Sequence, residues 1–255
     1  MDPHTLLALI MSGAIGLSLG LLGGGGSILA VPVLVYVAGF EARDAVAMSL
    51  AIVGSTSFIG SLLHGRGGRL DLRVAATFGG AGILGAYFGA GLTHLVAGAT
   101  LLLLFAALML VVAGLMLARR ERGAAGAGEK REGRPAHTLG AGLAVGVLTG
   151  FLGVGGGFLV VPALVLFAGL PMRLAVGTSL LVIAVNSAAG FVGHIGESHL
   201  PLSLTAAFTA AAVAGTFAGE RLARRVRAEH LRRTFAYFVI LVAVFLVAAN
   251  YRALI

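Results

Sequence analysis

No cysteine occurs anywhere in the 255 residues, which excludes disulfides, thiolate metal sites and a cysteine nucleophile. Charge is scarce as well. Asp, Glu, Lys and Arg make up 11% of the chain, too little polar surface to cover a water-soluble globule of this size. Lysine occurs once, as Lys130. No P-loop pattern is present, so uphill transport by this chain would draw on an ion gradient and not on bound ATP. No basic segment precedes the first apolar run, and that run is read as a membrane element and not as a cleaved leader. No cofactor and no metal are expected.

What the chain has in quantity is apolar sequence. Hydrophobic residues make up 58% and the mean hydropathy is +1.02, so the exterior is expected to face lipid. Apolar stretches long enough to cross a hydrocarbon core of ~30 Å recur at 44–64, 70–93, 97–118, 175–195, 201–222 and 231–254. Forty glycines would weaken soluble helices, but between membrane helices small residues let backbones pack closely. An all-α membrane protein follows.

The net charge of +8 raises the question of nucleic acid, and its placement answers it. Of 18 Lys/Arg, six lie in 119–134 and six in 221–233, each set beside an apolar span. That is how cytoplasmic loops are marked. Contact with anionic lipid headgroups is the expected role of both stretches, and no nucleic acid partner is expected. A homodimer is one assembly that such a bundle allows.

Sliding the chain against itself by 130 residues aligns 16–64 with 146–194 without a gap, with 21 of 49 positions identical. Scarce residues pair: Pro32 with Pro162, Arg43 with Arg173, His64 with His194. The chain therefore reads as a tandem duplication, with a first repeat over 1–118, a basic linker over 119–137 and a second repeat over 138–255. Each repeat opens on an apolar segment, 5–40 and 138–170, interrupted by glycines: Gly23 to Gly26 in the first and Gly153, Gly155, Gly156 and Gly157 in the second. Glycine runs disfavour continuous helix, so each segment is either one kinked span or a helix–break–helix hairpin.

Charge topology selects the hairpin. With both arginine clusters on the inside, the number of crossings between them is even, and spans 175–195 and 201–222 already supply two. Segment 138–170 then crosses zero times or twice. The first repeat starts outside and the second inside, giving about six full transmembrane helices plus two hairpins in an inverted-topology repeat, with the N-terminus outside and the linker cytoplasmic. Inverted repeats with broken helices near the midplane belong to secondary transporters, and breaks at that depth must be buried in protein or line a wet cavity.

The helix that follows each break begins with unpaired N–H groups carrying roughly half a positive charge, and glycine lets an anion approach them. Gly24, Gly25, Gly26 and Ser27 in one repeat and Gly155, Gly156 and Gly157 in the other are the expected contacts, with the Ser27 hydroxyl as a further donor. The same glycines also suit a bare hairpin apex. A second polar set follows: Ser49 and Ser57 in the first repeat, with Ser55 and Thr56 beside them, and Thr178, Ser179, Asn186 and Ser187 in the second. Hydroxyls in membrane helices often bond their own preceding carbonyls, whereas an amide such as Asn186 needs partners. Arg43 and Arg173, beyond the two hairpins, are candidates for recruiting or gating an anion, and His64 and His194 for titrating during transport. Interfacial snorkelling and capping account for these four equally well. Glu220, beside Arg221, reads as a paired interfacial carboxylate.

The pattern Gly20-Leu21-Leu22-Gly23-Gly24-Gly25-Gly26-Ser27-Ile28-Leu29-Ala30-Val31-Pro32, its copy from Gly150 to Pro162, and Ala175-Val176-Gly177-Thr178-Ser179-Leu180 resemble the TauE/SafE sulfite exporter family. The resemblance covers both halves. It implies a bacterial inner-membrane permease for sulfite or an organosulfonate such as sulfoacetate, working as an exporter. Ser27 stands where the second repeat has Gly157, so the two half-sites are not equivalent. A passive channel is the competing function, though no ring of charge marks a pore. An intramembrane hydrolase using Ser179 with His194 is disfavoured, because Ser49 and His64 repeat the same pair at the same spacing.

Overall fold

The computed structural model describes residues 3–90, 98–118, 135–152, 157–194 and 201–250. It is all-helical among those residues. The first half contains α1 (Pro3–Leu22), α2 (Ser27–Pro32) running on through a π-helical turn (Val33–Val37), α3 (Ala42–Arg66), α4 (Leu72–Ala90) and α5 (Gly98–Ala118). The second contains α6 (Pro135–Leu152), α7 (Gly157–Leu166), α8 (Met172–His194), α9 (Leu202–Arg225) and α10 (Ala228–Asn250). Among the described residues three helices, Asp44–Arg66, Met172–Val192 and Leu202–Arg225, are long and apolar enough to cross a membrane, and shorter apolar helices accompany them.

Local chemistry places the element ends. The wide turn after α2 begins directly at Pro32, which has no N–H to continue the helical ladder. The short helices of both halves then stop alike. Gly39 at φ +76° and Gly169 at φ +70° turn the chain back so that the Phe40 N–H reaches Leu34 O and the Leu170 N–H reaches Leu164 O, each at 3.0 Å. A glycine in the left-handed region closing a six-residue hydrogen bond satisfies carbonyls that the helix would otherwise leave open.

Glycine also decides which helices touch. A Cβ on Gly16 of α1 would overlap the Ala212 carbonyl of α9, and one on Gly215 the Gly13 carbonyl. The same contact recurs between α6 and α4, where Gly146 meets the Gly82 carbonyl and Gly85 the Leu143 carbonyl. Every residue of the second pair lies 130 positions from its counterpart in the first. The Thr216 hydroxyl adds hydrogen bonds at 3.0 Å to Gly16 O and to Ala212 O. Without a hydrophobic drive between helices in lipid, such close backbone approach is what holds them.

At the centre α3 crosses α8 in antiparallel fashion. Gly177 faces His64, Gly60 faces Leu180, Gly54 faces Ser187 and Gly190 faces Leu50. The bundle's exterior is apolar: Ile10 is 64% exposed, Tyr87 81% and Leu241 68%. Such a surface suits lipid and not water. Among the described residues the charged side chains that are buried are Glu220 and Arg232.

Candidate functional site: two glycine breaks in contact

Helix α1 ends where Gly23 takes φ +85°, and the chain doubles back on α1, with Gly26 against Ile15 and Leu19. In this half the interruption is therefore a helix–break–helix hairpin and not a kinked span. Gly23 to Gly26 are buried, and every one abuts something. Gly23 lies against Ser179, Val161 and Val176 of the other half, and Gly25 against the Phe238 ring. Gly24 packs so tightly on Gly157 that a Cβ would overlap the Gly157 carbonyl oxygen. A Cβ on Gly157 would in turn strike the Ser27 hydroxyl and come within 3.1 Å of Ile183. The serine-for-glycine difference between repeats is thus steric: the two positions face each other, and only one can carry a side chain.

The polar residues separate into those that are satisfied locally and those that are not. The Ser27 hydroxyl donates to Gly24 O at 2.8 Å, so it is not the free donor that its position in the sequence suggests. Ser49 donates to Val46 O and Ser179 to Val176 O, each at 2.8 Å, the back-bonding open to hydroxyls in helices. Thr178 accepts the Asp71 N–H at 3.0 Å, which ties it to the α3–α4 connection. The buried Thr56 and Ser57 hydroxyls and the Asn186 carbonyl oxygen have no partner, and neither does Ser18 of α1. Ser187 is buried against Gly54. A buried polar atom without a partner is expensive. Such atoms on α1, α3 and α8 mark where polar ligands or water belong.

Arg173 opens α8 and donates to Val226 O at 2.9 Å, while His64 near the end of α3 places Nε2 3.2 Å from Gly20 O. Arg43 lies in the first turn of α3 and His194 ends α8. Gly155 and Gly156 lie outside the described residues. The serine–histidine pairs are ruled out as dyads, since Ser49 and His64 sit fifteen residues apart on the continuous helix α3, about 22 Å along its axis. Glu220 is 4% exposed and pairs with Arg224 and Arg69, not with Arg221. Arg69, Arg224, Ser18 and the buried Arg232 were not singled out by sequence. Only the i,i+4 spacing of Glu220 and Arg224 signals any of them in advance.

A void between α1, α2 and Phe208 holds about 10 Å³, room for one water at most.

Apolar helices with a lipid-compatible exterior, folded around the buried break at Gly23 to Gly26, define a multi-pass membrane protein of the transporter class. Comparison with known proteins makes the assignment specific. The chain belongs to the sulfite exporter TauE/SafE family, whose model matches residues 8–246. It is 33% identical over 264 residues to a probable membrane transporter protein of Xylella fastidiosa (strain 9a5c), covering 100% of both chains. Similarity to the probable membrane transporter protein YdhB of Bacillus subtilis (strain 168) reaches 27% over 220 residues, covering 85% of this chain and 89% of that one. No solved structure matches the chain.

Proposed function

We propose that the protein is a secondary transporter of a small sulfur oxyanion, sulfite or an organosulfonate of the sulfoacetate type, bound near mid-membrane between two oppositely oriented hairpins. The observation that carries this reading is the meeting of the breaks: Gly24 of one half packs backbone to backbone on Gly157 of the other, with Ser27 between them. Two glycine-rich breaks that meet inside the protein bring unpaired N–H groups from both halves to one place, which attracts an anion without a buried lysine or arginine. The Ser57 hydroxyl of α3 and the Asn186 amide oxygen of α8, which faces Gly82 of α4, are both without partners. Gly25, Gly26, Gly155, Gly156, Ser49, Thr178, Ser179 and Ser187 complete the proposed lining, some of them after an opening movement.

Six full spans and two hairpins in an inverted repeat make up the proposed membrane topology. The antiparallel crossing of the equivalent helices α3 and α8 supports it. Repeats over 1–118 and 138–255, joined by a cytoplasmic linker, place both arginine clusters against anionic headgroups of the inner membrane and the first residues outside. Arg43, Arg173, His64 and His194 stand at the two ends as gating groups. Outward transport is taken from the name of the family.

Flux into proteoliposomes of purified protein tests it, with sulfite, sulfoacetate, taurine, sulfate and chloride compared with and without a proton gradient. Accumulation of a sulfur oxyanion above equilibrium, driven by the gradient, is the expected result. Flux that only equilibrates points to a channel, and absence of flux for every sulfur oxyanion sinks the reading.

A further inference from the structure

Charge gathers at the end of the bundle where α3 and α9 finish and α8 and α10 begin, next to Gly23 of the first break, which touches Val176. His64 is 2% exposed there. Its Nε2 faces the Gly20 carbonyl, and a carbonyl only accepts, so Nε2 carries the hydrogen and Nδ1 is a bare lone pair in the neutral ring. That Nδ1 is buried and has no partner. His64, Arg69 and the exposed Arg173 line one tight, partly open pocket with Val176, Ala223 and Leu231 and no carboxylate; it is too narrow for a water as it stands, so an anion enters only as the side chains part. Glu220 stands next to it, in contact with Arg224 and 3.8 Å from Arg69 Nη1. That separation is an ion pair without a hydrogen bond, so the Arg69 fork keeps its donors. Arg173 commits one amino group to Val226 O. The connection carrying Arg69 is pressed onto the second half, with the Arg69 carbonyl against Gly177 and the Asp71 N–H on Thr178.

We propose that His64, Arg69 and Arg173 form a second oxyanion site, an entrance to the path between the breaks, and that Glu220 occupies its place as a built-in anion when the site is empty. The inference rests on the transport reading and adds to it a binding site and the means of closing it. An entering oxyanion takes the Arg69 donors through charge-assisted bonds and releases Arg69 from Glu220, which loosens the connection that seals this end. With Nε2–H committed to Gly20, His64 donates to the anion only from a protonated Nδ1, so one proton is taken up with each anion. The groups bearing on the ring are Arg69 from the α3–α4 connection, Arg173 from α8, and Glu220 and Arg224 from α9. Helix α1 presents only the Gly20 carbonyl, and α10 presents Leu231 with the buried Arg232 next in sequence. A free oxyanion and a lipid phosphate share the chemistry that this site recognises.

Binding to the purified full chain in detergent, measured by calorimetry, tests the proposal with two soluble probes, sulfite and methanesulfonate, and with phosphatidylglycerol. Methanesulfonate keeps one charge across the range of about pH 5 to 8 in which an imidazole titrates. Gly25→Leu, which fills the proposed central site, leaves the entrance site to be read alone. In that background Arg69→Gln is expected to weaken methanesulfonate about tenfold and Glu220→Gln to tighten it about tenfold, the scale of one charge-assisted bond. His64→Gln is expected to abolish the strengthening seen at low pH. Should a variant fail to fold by size exclusion, Arg69→Lys and Glu220→Asp replace it, with affinities between wild type and the full substitution. Unchanged affinity in both charge variants overturns the proposal, as does binding of phosphatidylglycerol with neither soluble anion. The transport reading fails separately: anion binding with the expected mutational pattern, but no flux into liposomes, removes transport and leaves this site standing.

Discussion

At the scale of single residues, the tightest constraint is the facing pair Ser27 and Gly157. Ser27 points its hydroxyl at its own Gly24 carbonyl and fills the space that a side chain at 157 would need. Gly157→Ala is therefore expected to destabilise the detergent-solubilised protein by roughly 1–3 kcal/mol through overpacking. Adding Ser27→Ala should recover part of that loss, and thermal unfolding of the two single variants and the double variant reads the coupling. Strict additivity would show that the two positions do not meet. Sequence could list the hydroxyls but not their partners. Ser49 and Ser179 have a carbonyl three residues back within reach in any helix, so their satisfaction is local. Thr178 instead finds the Asp71 N–H from 107 residues away, a partner that no local rule supplies. Glu220 shows the same division: its neighbour Arg221 points elsewhere, because adjacent residues on a helix do not share a face.

At the scale of helices, packing depends on which face of each carries glycine. Gly16 and Gly146 lie against partner carbonyls, whereas Gly80, Gly114 and Gly140 have nothing within 4 Å. Gly16→Leu or Gly146→Leu is expected to separate α1 from α9 or α4 from α6, and to lower the unfolding temperature and the yield of monodisperse protein. Gly114→Leu, facing outward, should leave both near wild type. Equal loss from all three would mean that the glycines act through backbone flexibility and not through close approach. Spacings such as Gly142, Gly146 and Gly150 could be recognised in the sequence as an interface. Their partner helix could not, since α1, α4 and α9 carry glycines at the same four-residue spacing.

For the whole molecule, the consequence of the duplicated fold is that the two halves meet along α3 and α8. A Cβ built on Gly54 would stand 3.0 Å from the Ser187 Cβ, near the separation of about 3.5–4.5 Å that a disulfide needs, and the chain has no other cysteine to compete. The pair Gly54→Cys and Ser187→Cys is expected to cross-link under mild oxidation and to stop flux reversibly, with recovery on reduction. Undiminished flux in a fully cross-linked sample would show that the halves do not move apart at this level during transport. The void between α1, α2 and Phe208, at about 10 Å³, is too small for an oxyanion, so transport through this part of the bundle needs some such movement.

By itself the sequence determined the properties that depend on composition and order. Scarce charge with abundant apolar residues requires lipid, a register of 130 residues reveals the duplication, and glycine runs locate the breaks because glycine loses the most entropy when held in a helix. Only the tertiary structure decided which remote groups meet. That Gly24 lies on Gly157, that Ser57 and Asn186 lack partners, and that Arg69 reaches Glu220 across the two halves depend on how ten-ångström-scale helices pack side by side, a relation between distant positions that local periodicity does not encode.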